Sequence, residues 1–332
     1  MKKAIIIFVS IALVIAIIVT AVTVFSRLGY FQGGGDLRIT GTAVDGVFYY
    51  EVPHKGIYKY TPDKGSEQIL WKYWYDEYTV NDYAVYYTSG DTIYCIPHGT
   101  NESKKLYKQA GEKNIGISPC GDNIIAYFEN EFAYVMLDGR TGKRLYTVLD
   151  YDKDEVNVNY SLGDRTLSVT KENKKYIIRE NGKSILRENE TLSLPIPADY
   201  VYLEGCLVFE MSDESLSDDS NREYLILRPD GRDSRITVNP EEGEGISGGD
   251  KNYLFDQRFD NNIVCIDAYT GKTWDIAKDK VFMYKSVVAA DTDYLYITEY
   301  SDYDEPLSCY KIIYDSDKNP ESLKLVNDNI LQ

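Results

Sequence analysis

Apolar and polar residues along this chain follow one repeated order. In residues 123–146 an apolar run, a polar turn and a second apolar run precede Asp-x-x-Thr-Gly-Lys and a third short apolar run, and residues 253–274 repeat this order. Short apolar runs that are rich in β-branched and aromatic residues and bounded by turn residues indicate strands. The pattern therefore predicts a unit of antiparallel strands joined by tight turns, written more than once.

The central hairpin of this unit recurs along the chain. Seven copies can be placed, at residues 46–60, 84–96, 124–137, 166–179, 206–227, 253–266 and 294–313. Their starts lie roughly 40 residues apart, which is typical of one four-stranded propeller blade. Candidates for the strand before a hairpin are residues 71–80, 114–118, 156–162, 200–203 and 281–289, and candidates for a fourth strand include residues 144–148 and 184–187.

The turn after the third strand has a distinct residue pattern. Asp138 and Asp267 each open an Asp-x-x-Thr-Gly-Lys turn, in which Gly142 and Gly271 stand at equivalent places. An Asp carboxylate at the start of a turn accepts backbone N–H groups about two residues on, and glycine takes the positive φ that closes it. We expect both turns to be held in this way.

Burial of both faces of the central strands decides the fold class. In residues 132–137 the side chains on both faces of the strand are apolar. In a sheet with one solvent-exposed face, apolar and polar residues would alternate along the strand. A blade packed between two neighbours buries both faces. We therefore predict an all-β fold, a β-propeller of seven four-stranded blades over residues 36–332. Six blades, eight blades and two smaller β-domains are the alternatives.

The turn motif also carries a resemblance. At residues 138–146 and 267–274 the chain resembles the quinoprotein-like repeat, and residues 56–70 are similar to the repeats of TolB-like and lipoprotein-receptor-type propellers, bacterial repeat proteins of unknown function among them. The resemblance covers most of the chain after Asp36 and implies a propeller. It implies no activity, because propellers host many functions. The chain does not match a quinone-binding pocket residue by residue, so the resemblance assigns no catalytic residue.

The N-terminus predicts a membrane anchor. Lys2 and Lys3 precede residues 4–25, which are almost wholly apolar and contain no charge. A helix of that length spans a hydrocarbon core of about 30 Å, and the two lysines place the N-terminus in the cytoplasm. Residues 1–25 are thus a cytoplasmic stub and a single-pass signal anchor, with a cleaved signal peptide as the alternative. Residues 26–35 form a flexible linker, and the propeller lies outside the cytoplasm.

Composition limits the chemistry. A net charge of −17 argues against nucleic acid as a partner, since a phosphate backbone demands a basic footprint. The 31 tyrosines favour strands, with aromatic platforms for sugars or peptides as the alternative. None of the five cysteines stands in a C-x-x-C pair. His54 and His98 are interpreted as turn residues, with a pair of metal-binding or acid–base groups as the alternative. The rings of Trp71, Tyr73, Trp74 and Tyr75 are interpreted as core, with a place at the axis or on an open face as the alternative for a few of them.

No catalytic or cofactor-binding motif is present. Nucleophile elbows and phosphate-binding glycine loops are absent from the sequence. Calcium is the one ion with a partial motif, in the acidic runs that start at Asp150 and Asp315. Both runs lack the glycine at the sixth position and the glutamate at the twelfth that a calcium loop uses. Solvated acidic loops are therefore the favoured interpretation.

One acidic surface is the candidate site. In a four-stranded blade the loop between the second and third strands lies at one end and the turn after the third strand at the other. Three consecutive blades carry acidic loops at the first end, and the opposite turns carry basic residues such as Lys64 and Lys272. A cluster of one sign steers association with a basic partner or cations; solubilising charge is the alternative. The candidate residues are Asp213, Glu214, Asp218, Asp219, Asp260, Asp302, Asp304 and Glu305.

The function predicted from these features is a membrane-tethered binding or scaffold module for an extracytoplasmic protein or a surface polymer. One alternative is a cell-surface hydrolase or lyase with carboxylates in the axial funnel. The other is a ligand sensor that signals through its single span, which the stub of residues 1–3 disfavours. Side chains along the axis separate the first two, since apolar and small residues favour a scaffold and paired carboxylates an enzyme.

Overall fold

The computed structural model describes residues 40–52, 55–71, 75–150, 156–198, 203, 205–213, 222–238, 243–249, 252–258, 263–277, 285–299 and 307–331. Within these residues the fold is all-β and contains 28 strands. The predicted anchor and linker, residues 1–35, lie outside them. No helix in the described ranges is long and apolar enough to cross a membrane.

The first three sheets are four-stranded and antiparallel, with strands in chain order. The first contains β1 (Thr40–Val44), β2 (Val47–Val52), β3 (Gly56–Thr61) and β4 (Gly65–Trp71). The second contains β5 (Tyr78–Val80), β6 (Ala84–Ser89), β7 (Thr92–Pro97) and β8 (Lys104–Lys108). The third contains β9 (Ile115–Cys120), β10 (Asn123–Phe128), β11 (Ala133–Asp138) and β12 (Arg144–Asp150).

The next eight strands form one sheet from two four-strand groups. The fourth group is β13 (Asn157–Leu162), β14 (Arg165–Glu172), β15 (Lys175–Glu180) and β16 (Lys183–Ser184). The fifth group is β17 (Glu190–Leu192), β18 (Leu207–Asp213), β19 (Arg222–Leu227) and β20 (Ser234–Val238). The two groups join where Tyr176 of β15 pairs with Leu192 of β17.

Two further four-stranded antiparallel sheets complete the described chain. The sixth group is β21 (Gly243–Gly249), β22 (Tyr253–Arg258), β23 (Ile263–Asp267) and β24 (Thr273–Asp275). The seventh group is β25 (Lys285–Ala290), β26 (Tyr294–Glu299), β27 (Leu307–Tyr314) and β28 (Pro320–Asn327). All the predicted hairpins are confirmed, from β2–β3 in the first sheet to β26–β27 in the last.

The predicted strands were wrong between the fourth and fifth groups. The fourth strand ends at Ser184, not at residue 187, because the Glu190 carboxylate accepts the backbone N–H of Arg187 at 2.7 Å and turns the chain. The Thr191 hydroxyl then accepts the N–H of Tyr176 at 2.9 Å. Thr191 thus fills a ladder position that a longer fourth strand would use. The first strand of the fifth group is β17, and Leu203 lies outside any strand.

Phe132 departs from the two-faced pattern predicted for residues 132–137. It lies in the turn before β11 with a φ of 51° and is 51% exposed. The remaining side chains are buried or half-buried, because β11 lies inside its sheet between β10 and β12. The two-sided burial predicted for the central strand therefore holds from Ala133 onward.

Buried apolar clusters connect each group to the next and the last to the first. Separate clusters join the first and second, second and third, fifth and sixth, and sixth and seventh groups, and one larger cluster spans the third, fourth and fifth. A further cluster joins the seventh group to the first through residues such as Tyr296 and Phe48. The groups therefore pack in a closed cycle, as in a radial stack of blades.

The first strand of each group lies at the inner edge of this cycle. Strand β1 contacts β25, β5 contacts β9, and β21 contacts β25, so first strands of neighbouring groups approach one another. Outer strands such as β4 and β8 are each bonded on one side only. Residues on or beside the first strands are therefore the ones that surround the axis.

Candidate functional site

A cavity of about 300 Å³ lies between the third sheet and the fifth group, and residues of the first strand β9 are part of its lining. We call it the axial cavity. The lower end of the volume range for small-molecule sites is about 300 Å³, so it can hold one small ligand or one side chain. Its lining residues are Glu77, Gly116, Ile117, Ser118, Ile125, Tyr127, Tyr134, Ser193, Leu194, Ile196, Pro197, Ala198 and Glu210.

One wall of the axial cavity is a face of the third sheet. Gly116 of β9 pairs with Tyr127 of β10, which pairs in turn with Tyr134 of β11. The two tyrosine rings are 4.9 Å apart between centroids and inclined at 41°. A Cβ atom on Gly116 would lie 3.5 Å from the Tyr127 Cβ and 3.8 Å from Glu77 Oε2. The missing side chain at position 116 therefore leaves room beside an aromatic surface.

The opposite wall is the segment 193–198, which is tied at both ends to β18. The Ser193 N–H donates to the Glu210 carbonyl at 2.9 Å, and the Ala198 N–H donates to the Val208 carbonyl at 2.8 Å. Six residues thus lie opposite three, so the segment bulges away from the strand. The Tyr160 hydroxyl donates to the Pro195 carbonyl at 2.6 Å and fixes the middle of the bulge.

Tyr160 is a permanent donor to this wall. Burial raises the pKa of its phenol well above the ordinary value, so the hydroxyl keeps its proton at neutral pH. Its ring packs edge-on against Phe209 with centroids 5.5 Å apart. Tyr160 of β13, packed against Phe209 of β18, therefore holds the bulge in place.

Two carboxylates supply the charge of the axial cavity. The Glu77 backbone is fixed by Thr88, whose N–H donates to the Glu77 carbonyl at 2.9 Å and whose hydroxyl accepts the Glu77 N–H at 3.2 Å. Glu210 stands in β18 opposite Tyr224. Among the described lining residues there is no Asp, Lys, Arg, His or Cys. Most of the described lining is therefore apolar or aromatic, and its two carboxyl groups belong to Glu77 and Glu210.

A narrower cleft of about 20 Å³ shares Pro197 and Ala198 with the axial cavity. It has room for one water at most, since a water needs roughly 10–15 Å³. Cys120 and Cys206 line it, and neither forms a disulfide. Cys206 directly precedes β18. Burial raises the pKa of the Cys120 thiol to about 12, so this thiol is not a nucleophile at neutral pH.

The predicted acidic patch lies almost wholly outside the described residues. Of its eight members only Asp213 falls within them, as the last residue of β18, where it pairs with Glu190. The side chains of the patch are not described, so the patch stays a prediction. The described ranges contain no group of three or more His, Cys, Asp or Glu side chains that could hold a metal ion.

The partial calcium motif at Asp315 forms a turn. Its carboxylate accepts the backbone N–H groups of Asp317 and Asn319, both at 2.8 Å. The hydrogen bond from the Asn319 side-chain amide, at 3.1 Å, lowers the pKa of the Asp315 carboxyl most, and the backbone hydrogen bonds lower it further. The run that starts at Asp150 continues into residues outside the described ranges. The Asp315 carboxylate therefore holds its own turn.

His98 lies in a turn, as predicted, between β7 and β8. Its Nδ1 is 2.8 Å from the Tyr49 hydroxyl and its Nε2 is 2.7 Å from the Asn81 carbonyl oxygen, so it links the first two sheets. His54 lies outside the described residues. The prediction of core packing was wrong for Trp71, which is 63% exposed, and right for Tyr75, which is buried. Tyr73 and Trp74 lie outside the described residues.

Sequence reasoning missed the residues of the axial cavity. Tyr127, Tyr134 and Glu210 lie in predicted hairpins and Glu77 in a candidate strand, but no residue pattern distinguishes them from the other residues of these strands. The one available signal was the pair of prolines at 195 and 197, which lies between the candidate strands 184–187 and 200–203. A proline cannot donate to a strand ladder, so this segment had to leave the regular pattern.

Comparisons with known proteins identify the fold. The chain is similar to the β-propeller domain of the Trilobed protease from Pyrococcus furiosus, with a TM-score of 0.51 and 11% identity over 87% of this chain and 97% of that one. It is similar to the acylaminoacyl peptidase of Pyrococcus horikoshii, with a TM-score of 0.51 and 11% identity over 87% of this chain and 51% of that one. An oligogalacturonate lyase in complex with manganese matches with a TM-score of 0.45 and 11% identity, over 79% and 84%.

The two matches with a TM-score of 0.51 and the observed sheets define a β-propeller fold. No family model matches the chain, and no curated protein matches it. At 11% identity the likeness to solved structures extends to the fold alone. The function must therefore be argued from the axial cavity.

Proposed function

We propose that this protein is a membrane-tethered, extracytoplasmic β-propeller of seven blades that binds a ligand or a segment of a partner in its axial cavity. The cavity carries the proposal, because it combines a concave apolar surface with a few polar groups, the usual composition of a binding site. Apolar and aromatic residues make up most of its described lining, and this composition supports binding.

The blade count of seven is supported by the seven four-strand groups among the described residues and by the apolar clusters that close their cycle. In this count the fourth and fifth blades share the single pairing of Tyr176 with Leu192. An experimental structure with a different number of four-strand groups around the axis would contradict it.

Replacement of Gly116 tests the cavity as the binding site. Gly116→Leu is expected to abolish binding, because its side chain enters the space between Tyr127 and Glu77. Gly116→Ala is the matched control, since its Cβ meets only ordinary contacts of 3.5 and 3.8 Å. Ligand-observed NMR of the full-length protein with blocked tripeptides and short oligosaccharides measures the effect. The proposal fails if no probe binds the wild type, or if Gly116→Leu binds every probe as well as Gly116→Ala does.

A hydrolase or lyase is the second candidate, because Glu77 and Glu210 line one cavity and a pair of carboxylates is the usual machinery of glycoside hydrolysis. The same oligosaccharides, incubated with the full-length protein and analysed by chromatography, distinguish the two. Cleavage by the wild type that disappears in Glu77→Gln and in Glu210→Gln would replace the binding proposal with an enzymatic one.

The location is proposed from residues 2–25, the two lysines and the uncharged apolar stretch. Protease added to spheroplasts is expected to digest the propeller while a cytoplasmic marker stays intact. Deletion of residues 4–25 is expected to move the protein out of the membrane fraction. A wild-type protein that resists the protease until the membrane is lysed would place the propeller on the cytoplasmic side.

A further inference from the structure

We infer that the axial cavity accepts an apolar side chain of a peptide segment, that Leu194 determines this selectivity, and that Tyr160 positions Leu194. The inference rests on the proposed use of the cavity as a binding site and adds the class of ligand and the residue that selects it. Four observations carry it: the composition of the lining, the exposure of Leu194, the hydrogen bonds that hold the bulge, and a strand edge beside the cavity.

The lining of the axial cavity suits an apolar group. Ile117 and Ile125 of the third sheet and Ile196 and Pro197 of the bulge line the same space as Tyr127. Removal of apolar surface from water favours binding in proportion to the area covered. A sugar carries hydroxyl groups on most of its carbon atoms, and apolar surroundings leave such groups without hydrogen-bond partners. A volume of about 300 Å³ is enough for one large aliphatic or aromatic side chain.

Leu194 lies at the mouth of the cavity. It is part of the lining and is 52% exposed, so it stands at the boundary between the cavity and the solvent. An apolar ligand group that covers this side chain removes apolar surface from water on both sides of the contact. A polar group in the same position would lose its hydrogen bonds to water instead. Leu194 is therefore placed to distinguish apolar ligand groups from polar ones.

The bulge holds Leu194 in a fixed position. On one side of it the Ser193 N–H donates to a carbonyl of β18 at 2.9 Å, and on the other side the Tyr160 hydroxyl donates to the Pro195 carbonyl at 2.6 Å. The ring of Pro195 also fixes its own φ. A side chain that is held in place before the ligand arrives loses little conformational entropy on binding. Tyr160 is not part of the described lining, so it acts through Pro195 as a positioning residue.

A strand edge beside the cavity suits the main chain of a peptide. Gly116 and Ile117 of β9 line the cavity, and among the described strands β9 pairs with β10 alone. In an antiparallel pair, alternate residues direct their N–H and C=O groups away from the partner strand. An extended peptide can hydrogen-bond to such an edge and direct a side chain into an adjacent pocket. A lipid chain has no groups that would use this edge, so a peptide is the occupant.

Binding of matched tripeptides to the full-length protein in lipid nanodiscs tests the inference. Ligand-observed NMR titrations compare blocked Ala-X-Ala peptides in which X is leucine, phenylalanine or asparagine, since asparagine is polar and nearly as large as leucine. The leucine or the phenylalanine peptide is expected to bind about tenfold or more tightly than the asparagine peptide. Leu194→Ala is expected to reduce this ratio by about fivefold, because roughly half of Leu194 remains for the ligand to bury.

Leu325→Ala is the matched control for the loss of an exposed leucine. Leu325 is 46% exposed and lies in the outer strand β28 of the seventh group, outside the described lining of the cavity. This variant is expected to bind all three peptides as the wild type does. Circular dichroism of every variant confirms that each one is folded.

Tyr160→Phe tests the positioning role, because it removes the hydroxyl and keeps the ring that packs on Phe209. It is expected to weaken binding of the leucine peptide by about three- to tenfold, the range for one lost hydrogen bond, and to raise hydrogen exchange in the bulge. Tyr86→Phe is the matched control. Tyr86 is also buried, and its hydroxyl donates to the Gly139 carbonyl at 3.1 Å, outside the described lining of the cavity. This variant is expected to bind as the wild type does.

The outcomes separate the inference from the proposed function. Equal binding of the three peptides, an unchanged ratio in Leu194→Ala, or equal binding by Tyr160→Phe and Tyr86→Phe would overturn the inference. The cavity would still be the binding site if Gly116→Leu abolished binding of those probes. If oligosaccharides bind the wild type and the apolar peptides do not, the cavity remains the site and the ligand class falls. If no probe binds the wild type, both proposals fall.

Discussion

Phe48→Ala is expected to lower the free energy of unfolding by about 3–5 kcal/mol, the usual cost of removing a buried phenylalanine ring. Phe48 is fully buried in β2 and stacks on Tyr296 of β26 with centroids 4.1 Å apart. A second stacking contact joins Phe48 to Tyr50 at 5.0 Å. Truncation would leave a cavity at the junction of the first and seventh groups.

The junction of the first and seventh groups depends mainly on side-chain packing, whereas each hairpin is also held by strand pairing. In the described part of the chain, the first and last sheets share no strand. The junction is held by the apolar cluster around Phe48 and by Ile330, whose N–H donates to the Leu307 carbonyl at 2.8 Å. The Ser66 hydroxyl donates to the Ile330 carbonyl and accepts a hydrogen bond from Tyr50 at 2.9 Å. Loss of the ring therefore weakens the contact that closes the cycle.

Phe128→Ala is the matched control, because Phe128 is equally buried in β10 but packs in the cluster between the second and third sheets. Urea unfolding measures both losses of stability, and hydrogen exchange measures where they act. Exchange in β1 and β26 is expected to rise more in Phe48→Ala than in Phe128→Ala. Equal exchange patterns, or a loss below about 1 kcal/mol for Phe48→Ala, would show that the junction does not rely on this ring.

The hairpins could be predicted because their information is local. Each one needs two apolar runs and a turn within about 13 to 22 residues, and the turns carried their own residue signature. In the third sheet, Asp138 Oδ1 accepts the backbone N–H groups of Arg140 at 3.1 Å and Thr141 at 2.7 Å, as expected. In the sixth group, Asp267 Oδ1 accepts those of Tyr269 at 2.8 Å and Thr270 at 2.7 Å.

The axial cavity could not be predicted because its walls are distant in the sequence. Glu77, Gly116 and Glu210 come from three different groups, and only the closed cycle brings them to one place. The bulge at 193–198 depends on tertiary bonds, above all the one from Tyr160 to the Pro195 carbonyl. Repeat patterns indicate what the blades share, whereas a site arises where one blade differs.

The failed strand assignments and the cavity occupy the same region. The shortened β16, the early β17 and the bulge all lie between Lys183 and Ala198. Local departures from a regular pattern are expected at functional sites, where the sequence serves more than stability. This coincidence gives an independent reason to place the functional site at the bulge.

Gly142→Ala is expected to cost about 1–3 kcal/mol more stability than Gly271→Ala, by the usual penalty for overpacking. Both glycines occupy the same place in an Asp-x-x-Thr-Gly-Lys turn and have nearly the same φ, 70° and 71°. A Cβ on Gly142 would lie 2.1 Å from the backbone carbonyl oxygen of Leu106, whereas nothing lies within 4 Å of a Cβ on Gly271. Only the first substitution therefore adds a clash.

The pair separates backbone strain from packing. Alanine at a positive φ costs about 1–2 kcal/mol in either turn, so the common cost cancels in the difference. Since Leu106 belongs to β8, the clash would push the turn of the third sheet away from the outer strand of the second. Urea unfolding of the two variants measures the difference. Equal losses would mean that the third sheet can shift from β8 at no cost, and the close approach at Gly142 would then contribute nothing to holding neighbouring blades together.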